Sequence, residues 1–371
     1  MAVRIALQCS EADAHLILSE DNTAARLLTR PGEAIYNDAN GLYEGNHPFQ
    51  VVWLADSERD EYLERMHKLI ESRHCTAPPS IVFEGNVLAD PRDNPSLQRL
   101  LSMPTWPAPE SSVSAWLGSA VAIKDPTAAV FLRQNGGNLL MVGHREEAAL
   151  GVMASCFVSL AAQLSPAIGT RFYILDGIRP DAPEVGFFHR LADIAPQSVK
   201  LAGVRDSAGV LAEIAAEIAK RRQEGSDHAP PIYLFLYNLG RFRDLKKEDD
   251  FSFSSSDDGP PSPAKQFTAI LREGAALGIH AIVWCDTYSN VNRMLDRQCL
   301  RDFEMRVLFQ MNASDSSNLI DSPEASRLGV HRAYLYDEGQ GRLEKFRPYG
   351  MPSAEWLHWV KTALQRGDIT A

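Results

Sequence analysis

Residues 143–150 read GHREEAAL. They follow the apolar run NLLMV at 138–142, which predicts a buried strand, and they open an apolar stretch to Leu164, which predicts a buried helix. A strand that runs into a glycine and then an apolar helix is where a phosphate-binding turn of pattern G-x-x-x-x-G-K-[S/T] would sit. Its glycines let backbone N–H groups approach phosphates, its lysine meets the terminal phosphates, and its hydroxyl holds magnesium. Here Gly143 is present and the spacing is kept, but Ala148 stands at the second glycine, Ala149 at the lysine and Leu150 at the hydroxyl. Between them come His144, Arg145, Glu146 and Glu147, and the two glutamates place negative charge where a phosphate would lie. The other half of such a site is an apolar strand ending in an aspartate for magnesium, beside an acid that activates water. The strand IYLFLY at 232–237 ends instead in Tyr237 and Asn238. Taken alone, GHREEAAL is compatible with any strand-to-helix turn.

No other constellation promises chemistry. Five cysteines (Cys9, Cys75, Cys156, Cys285 and Cys299) are scattered without a Cys-x-x-Cys pair, which argues against a disulfide framework or a zinc site. The ten histidines are scattered too, and no metal-ligand spacing appears. His144 reads as a polar side chain rather than a general base, and His280 as packed. The net charge of −11 discourages bulk attraction to phosphate backbones. A local basic patch is still conceivable at RFRDLKK, where Arg241, Arg243, Lys246 and Lys247 could meet nucleic acid or a partner; the bland alternative is a solvated turn beside an acidic run. An active ATPase with Arg145 in place of the lysine is a further alternative, although an arginine so early in the turn is poorly placed to reach terminal phosphates.

The elements that would position these residues alternate between strand and helix. Besides 138–142, apolar strands are expected at 171–176, 232–237, 280–285 and 306–310, with a helix from Ser207 that ends in KRRQEG. That alternation predicts an α/β fold, a mostly parallel sheet with helices on both faces. The segment 246–265 is charged and rich in serine and proline and reads as a solvated insertion. The last helix should bury Trp356, Leu357, Val360 and Leu364.

The beginning of the chain repeats its end. Arg4, Gln8 and Asp13 match Arg306, Gln310 and Asp315; Arg26 and Leu27 match Arg327 and Leu328; Tyr36, Gly41 and Pro48 match Tyr336, Gly341 and Pro348. A period this long means repeated domains. Residues 1–75 are therefore expected to be the tail of a preceding similar domain, 76–114 a proline-rich linker and 115–371 a whole second copy. Within the tail, a strand at 3–8, a helix from Glu11 to Leu28, strands at 34–36 and 50–54 and a Ser57-capped helix carrying Tyr62, Met66 and Leu69 on one face are predicted.

The stretch GIHAIVWCDTYSNVNRMLDRQCLRDFEMRVLFQMNASDSSNLID (278–321), the twin blocks RIALQCSEADAHLIL and RVLFQMNASDSSNLI, and LLTRPGEAIY at 27–36 resemble the FtsK/SpoIIIE family of motor ATPases. The resemblance covers 3–54 and roughly 115–350. It implies a RecA-like, P-loop NTPase-type α/β domain, in a hexamer or a tandem array. Some members move double-stranded DNA; tandem relatives in type VII secretion move proteins and often end in degenerate copies. On that resemblance residues 115–371 are a degenerate terminal copy, with Asp176 in the place of the family's acid on the second strand and Asp286 and Thr287 near its nucleotide-sensing turn. The chain is then expected to hold no catalytic residues, metal or cofactor of its own. ATP and magnesium belong to other domains of the parent, which are also its expected partners, and the setting is cytoplasmic, without direct membrane contact.

Overall fold

The computed structural model describes residues 3–73, 86–108, 110–225, 229–247 and 261–366. The chain forms two compact units, residues 1–83 and 84–371.

In the first unit, strand β1 (Arg4–Leu7) pairs antiparallel with β2 (Glu33–Asn37), and β2 with β3 (Asn46–Gln50). Helix α1 (Glu11–Ile17) is capped by the Ser10 hydroxyl, which accepts the Asp13 N–H at 3.2 Å. It stops well short of Leu28. Asn22 ties its side chain to the Gly41 carbonyl (2.7 Å) and the Ala24 N–H (3.3 Å), and such bonds compete with a helix ladder, so only a 3-10 turn at Ala24–Leu27 follows. The strand expected at 50–54 lies earlier; Pro48 is tolerated in it because β3 is an edge strand. Ala6, Ala14, Leu18, Ala25 and Ile35 make a small core. Helix α2 (Asp56–Ser72) begins one residue before Ser57, with Ala55 as an uncapped N-cap, and buries none of its residues.

The second unit begins before Ala115. Residues 86–108, expected as linker, belong to it. Helix α3 (Pro95–Leu101) is capped by Asn94, which accepts the Leu97 N–H at 3.0 Å, and it buries Leu97 and Leu101; Ala89 bridges to Tyr349, and Trp106 is buried under the Arg366 guanidinium. The prolines there open helical turns rather than a tether: Pro91 starts a 3-10 turn and Pro95 sits at the first position of α3. In chain order follow β4 (Ser112–Ala120), β5 (Thr127–Leu132), β6 (Leu139–Val142), α4 (Glu146–Gln163), β7 (Arg171–Asp176), α5 (Phe187–Ala192), β8 (Val199–Gly203), α6 (Ser207–Glu224) and β9 (Ile232–Tyr237). Then come α7 (Pro263–Glu273), β10 (Ile279–Cys285), α8 (Tyr288–Met294), α9 (Arg297–Arg301), β11 (Met305–Leu308), α10 (Ala313–Ile320), β12 (Ala333–Asp337), β13 (Arg342–Pro348) and α11 (Ala354–Ala363). Most of the 246–265 insertion lies outside the described residues.

One sheet runs β5-β4-β13-β12-β11-β6-β10-β9-β7-β8. The stretch β11-β6-β10-β9-β7-β8 is parallel, and β12, β13, β4 and β5 extend it antiparallel. The parallel strands are covered on both faces, which is why they read as unbroken apolar runs. One core joins α3, α4, α5 and α11 to the sheet; the other joins α6, α7, α8 and α10 to its opposite face. The serines and the glutamine of α4 have a structural role. Ser159 Oγ accepts the Trp116 N–H (3.2 Å), Ser155 Oγ donates to the Trp116 carbonyl (2.7 Å), and Gln163 accepts from the Ser114 N–H (3.2 Å) and donates to its carbonyl (2.7 Å). They satisfy backbone groups of β4 that no strand pairs.

The internal repeat survives as topology. The series β1, α1, 3-10 turn, β2, β3, α2 has the order and antiparallel pairing of β11, α10, the 3-10 turn at Glu324–Arg327, β12, β13, α11. The residue matches drift within it. With Arg4 set on Arg306, Arg4 faces Asn37 whereas Arg306 faces Tyr336, so Tyr36 and Tyr336 point to opposite faces. Pro48 faces Ile35, while Pro348 faces Gly118. The loop joining the last two strands spans 38–45 in the first copy and only 338–341 in the second, so the matches cannot stay in register through it.

Candidate functional site

In an open parallel sheet, ligands gather outside the carboxyl ends of the strands. There β6 delivers Gly143, β7 Asp176, β9 Tyr237 and Asn238, and β10 Asp286 and Thr287. The resemblance-based positions are thus brought to one edge of the sheet.

Gly143 has φ +131°, and a Cβ on it would lie 2.8 Å from the Phe309 Cβ, so the position requires glycine for packing. Its N–H donates to the Cys285 carbonyl (3.1 Å), and its own carbonyl accepts the Trp284 Nε1–H (3.1 Å). Helix α4 begins at Glu146, so only residues 143–145 form the turn. The Ala149 N–H donates to the Arg145 carbonyl at 2.9 Å, which makes the lysine position an ordinary helical residue. Ala148, Ala149 and Leu150 are buried in the core. His144 and Arg145 are exposed, and Arg145 is the N-cap of α4 with no side-chain cap bond. Glu146 and Glu147 occupy the first turn, where carboxylates complement the positive pole of the helix.

Tyr237 is buried and stacks on Trp284 with ring centroids 4.5 Å apart; Phe188 packs edge-on against it at 5.5 Å. Burial, and then the nearby Glu146, Glu184 and Asp176 carboxylates, push the Tyr237 phenol far up. Asn238 takes the left-handed conformation at φ +63°. A space bounded by Glu146, Ile178, Arg179, Ala182, Glu184, Tyr237 and Asn238 measures about 10 Å³. A cavity of that size holds one water, not a triphosphate.

The two strand-end aspartates at this edge are engaged. Asp176 Oδ1 accepts the Ile178 N–H (2.8 Å), and burial raises its carboxyl above the usual range against the pull of that bond, His189 and Arg241. Asp286 Oδ1 accepts from Asn290 Nδ2 (2.6 Å) and Thr287 Oγ1 (3.3 Å), while Thr287 caps α8. Among the described residues no cluster of three His, Cys, Asp or Glu could hold a metal. Burial pushes the Cys285 and Cys299 thiols up to about 12 and 11, away from thiolate chemistry.

The residues of the basic cluster differ in exposure. Arg241 is half-buried, with a buried Nη1 that has no hydrogen-bond partner. Arg243 and Lys246 are exposed, and Lys247 lines a separate cavity of about 320 Å³ with Phe267, Arg272 and Asp296. What the sequence reading missed at the strand ends was Trp284, which bonds the Gly143 carbonyl and stacks on Tyr237. Its only signal was a large aromatic one residue before the end of an otherwise aliphatic strand.

No family model matches the chain, and no curated protein matches it in sequence. Solved structures do. The cytoplasmic domain of the type VII secretion ATPase EccC from Thermomonospora curvata is similar with a TM-score of 0.55 at 16% identity, over 98% of this chain and 43% of that one. The pCW3 conjugation coupling protein TcpA, in its monomer form with ATPγS, is similar with a TM-score of 0.50 at 10% identity, over 89% of this chain and 91% of that one. EssC (ATPases 2 and 3) from Geobacillus thermodenitrificans matches 78% of this chain with a TM-score of 0.49 at 15% identity. The chain spans less than half of the EccC chain, and likeness at these identities concerns the fold alone. Among the described residues no helix is long and apolar enough to cross a membrane. In fold, then, the chain is similar to the ATPase EccC and the coupling protein TcpA, a mostly parallel α/β sheet with helices on both faces.

Proposed function

We propose that the second unit is a non-hydrolysing RecA-like module that serves docking or regulation within a larger translocating motor on the cytoplasmic side. ATP and magnesium act in other domains of that motor, which moves DNA or protein and works as a tandem array or an oligomer. The observation that supports this reading is the turn after β6: the Ala149 N–H is spent on the Arg145 carbonyl, and Tyr237 stacks on Trp284 at the neighbouring strand ends. The lysine that would meet the terminal phosphates and the hydroxyl that would hold magnesium are replaced by the buried Ala149 and Leu150. Isothermal titration of the chain with ATP and magnesium is expected to show no binding tighter than about 0.1 mM, roughly −5.5 kcal/mol. Tighter binding, or ATP turnover that Arg145→Ala abolishes, would overturn the proposal.

A further inference from the structure

The second copy of the repeat shows what the first copy lacks. In unit 2 the β11 face formed by Met305, Val307 and Phe309 is packed in the core with β6 and α4, at 4%, 0% and 1% exposure. The β1 residues at the same places, Val3, Ile5 and Leu7, are 50%, 61% and 56% exposed. On the opposite face of the same strands, Ala6 and Leu308 are both buried beneath the helix of their own copy. The difference is therefore confined to one side. It is matched along the strand edge: β11 pairs parallel with β6, Met305 facing Leu139 and Val307 facing Met141, whereas among the described residues β1 pairs only with β2. It is matched again by the last helix. Trp356, Leu357 and Val360 of α11 lie in the core around α4, and Tyr62, Met66 and Leu69 of α2 are exposed. An open strand edge beside an apolar face is a template for pairing.

We infer that this side of unit 1 is a docking surface for the strand-turn-helix element of another RecA-like domain. Its strand would run parallel to β1 and extend the small sheet; its helix, rich in small apolar residues as α4 is, would cover Val3, Ile5, Leu7 and the α2 stripe. A second copy of this chain cannot supply that element, because its β6 and α4 are already buried in its own unit 2. The inference builds on the multi-domain reading above, but not on the state of the nucleotide turn, so a positive ATP titration leaves it standing.

The probe is a synthetic peptide of residues 138–164 of this chain, the element that covers the equivalent face in unit 2, added to the full chain. Hydrogen exchange should gain protection at Arg4–Leu7 and along α2. Ile5→Asp or Leu7→Asp should weaken peptide binding at least tenfold, and Leu16→Asp, an exposed residue of α1, should leave it unchanged. Because a short helix is marginal alone in water, the same residues are also fused ahead of Val3 through a flexible Gly/Ser linker, which raises their effective concentration. Protection of β1 in the fusion, lost with Ile5→Asp, supports the assignment even if the free peptide does not bind. Failure of both peptide and fusion to protect β1 overturns it. So does a homodimer of the full chain that Ile5→Asp returns to monomer in sedimentation.

Discussion

At the scale of residues, the turn after β6 is fixed by packing. Ala149 is buried in the core, so Ala149→Lys alone sets an ammonium among Ala148, Leu150 and their neighbours. Burying a charge without a partner costs roughly several kcal/mol, and the metal-binding hydroxyl is still missing at Leu150. Urea unfolding should show a large loss of stability for this variant, with no gain of ATP affinity by titration; a lysine that conferred binding would show that the turn can reopen. His280 makes a second case. It is buried, its Nδ1 lies 2.7 Å from the Gly137 carbonyl, and burial lowers it to about 4. In the unfolded chain it protonates near 6.5, so between about 6.5 and 4 the unfolded state binds the extra proton and stability falls as the pH falls. From pH 7 to pH 5 this one group should remove about 2 kcal/mol. The His280→Gln variant should show a correspondingly flatter dependence in urea titrations across that window; an unchanged slope would mean that other groups set it.

At the scale of elements, α4 is both the spine of the core and the partner of a strand edge. Gln163→Leu strips the Ser114 N–H and carbonyl of their side-chain partners and should cost about 1–3 kcal/mol in urea unfolding, while Gln163→Glu keeps the acceptor and loses less. Equal losses for the two would mean that the edge of β4 is satisfied in another way. The buried parallel strands were legible because they are unbroken apolar runs: β6, β7, β9, β10 and β11 lie where their sequence places them. Others were not. β4 reads SVSAWLGSA, a mixture of small and polar residues whose strand state depends on β5 and α4 far away in the chain. Helices α3 and α5 are too short for a helical stripe to declare itself, and α3 hides among prolines that look like a linker.

At the scale of the whole molecule, the two units differ in what holds them. Unit 1 relies on Ala6, Ala14, Leu18, Ala25 and Ile35, whereas unit 2 has two extensive cores. Native-state hydrogen exchange of the full chain should therefore open β1–β3 first, with β9 and β10 amides slower by roughly a hundredfold or more; equal protection in both would show that the small unit draws stability from elsewhere. The sequence by itself determined the parallel α/β core, the long-period repeat and the absence of a lysine at 149 and of acids at 237 and 238, because apolar periodicity and residue types are local facts. It left open whether GHREEAAL had ever been more than a turn. Only the tertiary structure decided that Gly143 packs against Phe309 and Trp284, that residues 86–108 are part of a domain, and that Val3, Ile5 and Leu7 face outward. Each of those depends on which distant residues arrive beside it: Trp284 and Phe309 at Gly143, Tyr349 at Ala89, and, at β1, no counterpart of β6 among the described residues.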